Sequence, residues 1–255
     1  MPKGSTNEIS ALDNRLAKNS TQGKLPLKHV AIIMDGNRRW ADKRKMPRFF
    51  GHKEGVKSLK TLVQHVGKLK LDYLTVYAFS SENWQRSQDE VNYLFELFAR
   101  VLTDEFDELA NNGVKLSFLG NLAQIPPNLA ASLQASMDKT KNNQGLSLQV
   151  AINYGSRLEI SEAVRNIARD VIEGKLTVDK IDEPLISSYL YTKDIPDPEL
   201  IVRTGGEMRL SNYLLWQAAY TELYVTDVLW PEFTPAEFDK AILEFSNRIR
   251  RYGGD

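Results

Sequence analysis

Five short runs rich in Val, Ile and Leu recur along the chain: HVAIIM (29–34), YLTVYAF (73–79), VKLSFLG (114–120), LSLQVAIN (146–153) and ELIVR (199–203). Strands buried on both faces read as continuous apolar runs of this kind, which is the pattern of a parallel sheet covered on each side. Longer amphipathic stretches lie between them. In EVNYLFELFARVLTDEFDELANNG (90–113), Val91, Leu94, Phe95, Phe98, Leu102, Phe106 and Leu109 repeat with helical spacing, and Gly113 is a natural stop. SRLE (156–159) reads as a capping box, with Ser156 as cap and Glu159 reaching back. TPAEFDKAILEFSNRIRR (234–251) opens with Thr234 as cap, Pro235 at the first helical position and Glu237 completing the box. Strands alternating with helices predict an α/β fold: a mostly parallel central sheet flanked by helices.

With 255 residues the chain has room for one large domain or two small ones. No repeat, linker or low-complexity stretch divides it, so one domain is expected over residues 25–255. The polar residues 1–24 are expected to be a disordered tail. They lack the apolar centre of a signal peptide, and no segment approaches the ~20 apolar residues that span a bilayer. A cytoplasmic protein is the expectation. Lys+Arg and Asp+Glu number 33 each, and a formal net charge of zero argues against a dedicated nucleic-acid binder. The absence of cysteine excludes disulfides, a Cys-ligated zinc site and a thiol nucleophile.

In open α/β sheets, ligands bind beyond the carboxyl ends of the strands. The first apolar run delivers Asp35, Gly36, Asn37, Arg38 and Arg39 at such an end. Gly36 permits a close turn, a following helix would favour anions at its start, and guanidinium groups match phosphate bidentately. A carboxylate beside phosphates usually works through a divalent cation, most often Mg²⁺. A helix cap flanked by solvated arginines is the plainer alternative for this one segment. Three further polar clusters shift the balance: RFFGHKEG (48–55), with Arg48 and His52; SSENWQR (80–86), with Ser80, Asn83, Trp84 and Arg86; and RTGGEMRLSN (203–212), with Arg203, Glu207, Arg209 and Ser211. Each is expected at or near a strand end, and each contains arginine. Together they suggest two polyanionic groups and a metal.

GHKEGVKS (51–58) is no P-loop, because Val56 stands where a glycine must precede Lys57. His29, His52 and His65 lack zinc-ligand spacing, and His29 and His65 are expected to be structural or surface residues. A phosphatase with Asp35 as nucleophile would need a second aspartate where Asn37 stands.

HVAIIMDGNRRWA, FGHKEG, FSSENWQR and IVRTGGEMRLSNYLLWQAAYTELYVTDVLWPEF together resemble the blocks of the cis-prenyltransferases, most closely those of the bacterial undecaprenyl diphosphate synthase type. They run in the family's order from His29 to Phe233. The resemblance implies condensation of isopentenyl diphosphate onto farnesyl diphosphate with cis double bonds, to a long-chain product that serves cell-wall glycan synthesis. It implies Mg²⁺ held by Asp35 and Glu222. It places the allylic diphosphate against Gly36, Asn37, Arg38, Arg39 and Trp40, helped by Arg48 and His52, with Arg86 on a mobile loop that closes over the site. Ser80 and Trp84 belong to the same substrate surface. Arg203, Arg209 and Ser211 are similar to residues that hold isopentenyl diphosphate, and Asp35, Asn37, His52 and Asn83 to those involved in the condensation. Ser87, Met208 and Arg38 depart from the commonest family pattern. A hydrophobic product tunnel is implied along the 90–113 helix, with Ala78 and Leu146 in its wall. A homodimer and transient membrane contact for product release are also implied. YTELYVTDVLW (220–230) is either an edge strand used for pairing subunits or an internal strand. A non-catalytic family member is the alternative that retention of Asp35, Asn37, Arg39, Arg203, Arg209 and Glu222 argues against.

Overall fold

The structure is a computed structural model, and it describes residues 25–248 apart from Pro26 and Glu105. The expected tail and the last seven residues lie outside the described part. Six strands form one sheet in the order β3-β4-β2-β1-β5-β6, every neighbouring pair parallel. They are β1 (His29–Ile33), β2 (Tyr73–Ser80), β3 (Lys115–Leu119), β4 (Ser147–Tyr154), β5 (Leu200–Arg203) and β6 (Glu222–Val225). All five expected runs are strands, and the ambiguous aromatic stretch supplies the sixth, at the edge.

The helices are α1 (Asn37–Lys43), α2 (Arg48–Lys68), α3 (Gln88–Asp104), α4 (Phe106–Asn111), α5 (Pro127–Thr140), α6 (Ser156–Ile172), α7 (Glu183–Ser188) and α8 (Pro235–Ser246). The expected helix over 90–113 is thus two helices, α3 and α4. Side chains alternate across β1, as they must in a strand. Val30 and Ile32 join an apolar cluster with Leu62 and Val66 of α2 and Phe238 and Ile242 of α8. Ala31 and Ile33 join Tyr154, Tyr213 and Leu214 on the opposite face. A third cluster packs Val91, Leu94 and Phe95 of α3 against Leu129 and Leu133 of α5, over Phe79 and Ile152 of the sheet.

Of the two caps expected from the sequence, one forms and one does not. Thr234 does cap α8, its hydroxyl accepting from the Glu237 N–H at 3.4 Å. Ser156, by contrast, is already helical, Gly155 occupies the cap position, and Glu159 does not reach back. Glu159 is buried, where its carboxylate accepts from the Tyr154 hydroxyl (2.6 Å) and the Tyr191 N–H (2.8 Å). Tyrosine and amide donors from other elements outcompeted the local cap.

His29 is structural, as expected. Its Nδ1 lies 2.6 Å from the Pro196 carbonyl, which can only accept, so Nδ1 carries the proton. Nε2 then accepts from the Thr75 hydroxyl at 2.7 Å, and Thr75 Oγ1 in turn accepts from the Gln149 amide nitrogen at 3.2 Å. Burial pushes the imidazole down to about pH 4, against an ordinary value of 6.5. Between these values the unfolded chain binds the proton and the native chain does not. Stability should therefore be flat above pH 7 and fall as pH drops from about 6.5 towards 4, by about 3 kcal/mol from this group. Urea midpoints for the wild type and His29→Asn over that range check it: the variant's curve should be flatter, whatever its own stability, and parallel curves would refute the assignment.

Candidate active site

Because all strands run the same way, their carboxyl ends share one edge of the sheet. Ile33 of β1 stands beside Tyr77 of β2 and Arg203 of β5. Strands β2, β4 and β3 lie on one side of β1 and β5 and β6 on the other, so the winding reverses at β1. Such a reversal opens a crevice for a ligand.

Gly36, at φ 114°, makes the turn from β1 into α1, a conformation that a side chain would resist. Asp35 does not cap α1: no side-chain cap bond is made there. Its Oδ1 lies 3.0 Å from Arg39 Nη2 and its Oδ2 accepts from Arg203 Nη2 at 2.9 Å. Arg203 is only 5% exposed, and its Nη1 donates to Ser211 Oγ at 2.8 Å and to the Arg209 carbonyl. Arg39 donates to the Gly205 carbonyl (2.7 Å), and Arg209 to Glu207 (2.6 Å). The loop after β5 needs positive φ at Gly205, Gly206, Ser211, Asn212 and Leu214. Non-glycine residues in that region cost on the order of 1 kcal/mol each and persist only when held. Asn212 is held: its carbonyl accepts from Ser156 N (2.8 Å), its Oδ1 from Arg157 N (2.9 Å), and its Nδ2 donates to Glu82 (2.7 Å).

FGHKEG is not at a strand end. It lies inside α2, where its glycines allow α1 and α2 to touch. A Cβ on Gly51 would overlap the Asn37 carbonyl oxygen, and one on Gly55 would stand 2.5 Å from Asn37 Oδ1 and 2.9 Å from Trp230 Cδ1. His52, between them, is 9% exposed, with Nε2 3.4 Å from Glu90 Oε1. Its pKa is lowered by burial and then by the Arg86 charge, Glu90 opposing, so His52 is neutral at pH 7. After β2, Asn83 Oδ1 accepts from the Ser80 N–H at 3.1 Å in a capping box of a 3₁₀ turn over Ser81–Gln85. Trp84 donates to Asn153 at 2.8 Å, and Arg86 to Glu90 at 2.9 Å.

A cavity of about 590 Å³ brings together Asp35, Asn37, His52, Ser80, Asn83, Arg86, Arg203, Arg209 and Ser211. A second, of about 130 Å³, shares Met34, Asn37, His52 and Ala78 with it and is otherwise lined by apolar side chains such as Leu94, Phe98, Leu133 and Val150. A third, of about 540 Å³, shares Val56, Leu59, Val101, Leu109 and Leu148 with the second and reaches Leu146. Asn37 Oδ1 and His52 Nε2 are buried without hydrogen-bond partners among the described residues. Buried polar atoms are normally satisfied, so both point to a ligand between the polar and apolar spaces.

Not every expected residue joins. Arg48 is exposed and faces Asp42 at 3.4 Å. Trp40 is covered by the Arg44 guanidinium, 4.2 Å from its ring centroid. Arg38 leans towards Glu90, at 3.9 Å. Glu222 is displaced furthest. It pairs in register with Leu200, at the amino end of the sheet, and binds Arg248 at 2.9 Å, so in one chain it does not stand beside Asp35. Glu90, Glu82 and Asn212 were missed. Glu90, four residues after Arg86 at the start of an amphipathic helix, carried an i,i+4 signal. The contacts of Glu82 and Asn212 are long-range and left none.

Among the described residues no group of three or more His, Asp or Glu side chains could hold a metal. Mg²⁺ typically takes one or two carboxylates together with substrate phosphates, and Asp35 beside an arginine-lined cavity fits that mode.

The prenyltransferase family model, described as putative undecaprenyl diphosphate synthase, matches residues 33–253. The chain belongs to the cis-prenyltransferase family. Among its relatives, an isoprenyl transferase of Clostridium perfringens is 48% identical over 91% of this chain and 92% of its own length. Another, of Heliobacterium mobile, is 48% identical over 99% and 96%. Two solved structures share the fold. Lavandulyl diphosphate synthase of Lavandula x intermedia, in complex with dimethylallyl diphosphate, gives a TM-score of 0.87 at 34% identity, over 89% of this chain and 98% of its own. A probable undecaprenyl diphosphate synthase of Campylobacter jejuni gives 0.74 at 35% identity, over 89% and 99%. In this family member the site is assembled around α1 and α2, and their contact is testable. Gly51→Ala should destabilise the fold by about 2 kcal/mol or more, through overpacking. Gly67→Ala, on the same helix with open space around it, should stabilise by up to about 1 kcal/mol. Urea denaturation measures both, and equal effects would remove the special role of Gly51.

Proposed function

We propose that the chain condenses isopentenyl diphosphate successively onto farnesyl diphosphate, with cis double bonds, to give undecaprenyl diphosphate for cell-wall glycan synthesis. The observation that carries this reading is the pair of cavities: one polar and rich in arginine, the other apolar, sharing Met34, Asn37, His52 and Ala78. An allylic diphosphate has the same two halves, a polyanionic head and a greasy tail.

In each step a new C–C bond forms between isopentenyl diphosphate and C1 of the allylic chain. The C1–O bond breaks, the diphosphate leaves with the electron pair, and a proton is lost to give the new double bond. Asp35 would hold Mg²⁺, which supplies Lewis-acid neutralisation of the leaving group. Arg39 and Arg86, with the Asn37 amide donating through Nδ2, would orient the allylic diphosphate, and Arg203, Arg209 and Ser211 the second one. Donors fixed before the reaction stabilise the growing charge at little reorganisation cost. His52, neutral and unsatisfied at the junction, is suited to hydrogen-bond a diphosphate or receive the proton. Glu222, paired with Arg248, has no part in this single-chain site. The product chain would grow through the second cavity towards Leu146. We place the enzyme in the cytoplasm as a homodimer pairing along the β6 edge, with transient membrane contact for release.

A shorter-chain synthase is the second reading, favoured by the small volume of the apolar cavity. Incubation with farnesyl diphosphate, labelled isopentenyl diphosphate and Mg²⁺ should give a product ladder ending near the undecaprenyl length and abolished by chelator. A shorter end point would select the second reading, and no incorporation by folded protein would remove both. Asp35→Ala should lower turnover on the order of a hundredfold or more, measured below its melting transition, and its melting temperature should also fall, because the buried Arg203 loses its counter-charge. Ala78→Leu, which fills the wall shared by the two cavities, should shift the ladder to shorter products; an unchanged ladder would move the growing chain elsewhere.

A further inference from the structure

The corner joining α1 to α2 has the sequence DKRKMPRFF (42–50), four cations against one anion in a chain of zero formal net charge. Every residue of it is exposed except Met46, which is partly buried. The chain turns there through Lys45, at φ 55°, directly after α1 ends. Phe49 and Phe50, 42% and 37% exposed, stack on each other at 4.5 Å between centroids. Phe49 also packs on Tyr93 of α3 at 5.5 Å, and Arg100 lies over the Tyr93 ring. Arg44 is engaged by Glu232 and Arg48 by Asp42. Lys43 and Lys45 have no ion-pair partner among the described residues.

Adjacent exposed aromatic rings are unusual on a surface that meets only water, and uncompensated lysines beside them repel cationic partners. A bilayer of anionic lipids suits both: aromatic rings settle at headgroup level and lysines meet the phosphates. α2 and α3, which this corner joins through Phe49 and Tyr93, are also two of the helices that wall the apolar cavity. We propose that the α1–α2 corner, through Lys43, Lys45, Phe49 and Phe50, seats the protein on an anionic lipid surface. The use of this seat, in handing over a lipid product, rests on the function proposed above; the binding itself does not.

The test is sedimentation of the full chain with vesicles of phosphatidylcholine containing roughly one-third phosphatidylglycerol, against vesicles of phosphatidylcholine alone. The wild type should partition at least about tenfold better to the anionic vesicles. Each lysine near such a surface is worth about fivefold in partition, so K43Q/K45Q should lose about 25-fold. F49S/F50S should lose binding to both vesicle types, and both variants should keep wild-type turnover in detergent solution. If F49S/F50S fails to melt cooperatively, the exposed lysine pair still decides. Wild type that stays in the supernatant with anionic vesicles, or K43Q/K45Q that sediments like wild type, overturns the proposal. Vesicle binding without condensation by any form would keep the seat and remove the enzyme reading.

Discussion

The ion pair between Asp35 and Arg203 joins the ends of two neighbouring parallel strands, and much of the site depends on it. A guanidinium as buried as that of Arg203 is costly unless a counter-charge and hydrogen bonds compensate it. Asp35 supplies the charge, and Ser211 Oγ and the Arg209 carbonyl accept from Nη1, while Nε has no hydrogen-bond partner among the described residues. Arg39 is tied to the same carboxylate, and Arg86 and Arg38 share Glu90 in the same manner. Each of these arginines thus already faces a carboxylate of the chain, and two of them share each carboxylate. A substrate would replace those carboxylates rather than fill an empty cationic bowl, and release of Asp35 from its arginines would free it for a metal.

The central strands were legible because burial on both faces removes the polar alternation that makes other strands ambiguous. β6 is four residues long and at the edge, and its sequence left open whether it was internal. FGHKEG, with its two glycines, was expected at or near a strand end because it was grouped with the other polar clusters. Its glycines sit in a helix interior, tolerated because another backbone runs against them. The Ser156–Glu159 box failed for a related reason: local capping competes with tertiary donors, and Tyr154, Tyr191 and Gln217 offered Glu159 a buried set. In the candidate site, residues next to strand ends were placed well, because the direction of a parallel sheet fixes where they emerge. Glu222 was carried over from a resemblance, and its position at the start of β6 puts it at the far end of the sheet.

Division of the cleft into an arginine-rich and an apolar space has an electrostatic side. Arg86, Arg203 and Arg209 line the polar space, and side chains such as Leu94, Phe98 and Leu133 line the apolar one. His52 stands at the boundary and is kept neutral by it, since burial and the Arg86 charge act in the same direction.

The backbone-to-backbone approach of α1 and α2 has a consequence for how the sequence is free to drift. Asn37 is located by main-chain atoms meeting at Gly51, with its side chain against Gly55, and not by the shape of neighbouring apolar side chains. The inner face of α2, at Leu62, Val63 and Val66, can exchange one aliphatic residue for another while that register stays put. Across divergent descendants of this chain, the interior is free to be rewritten around two positions where even a methyl group is too much.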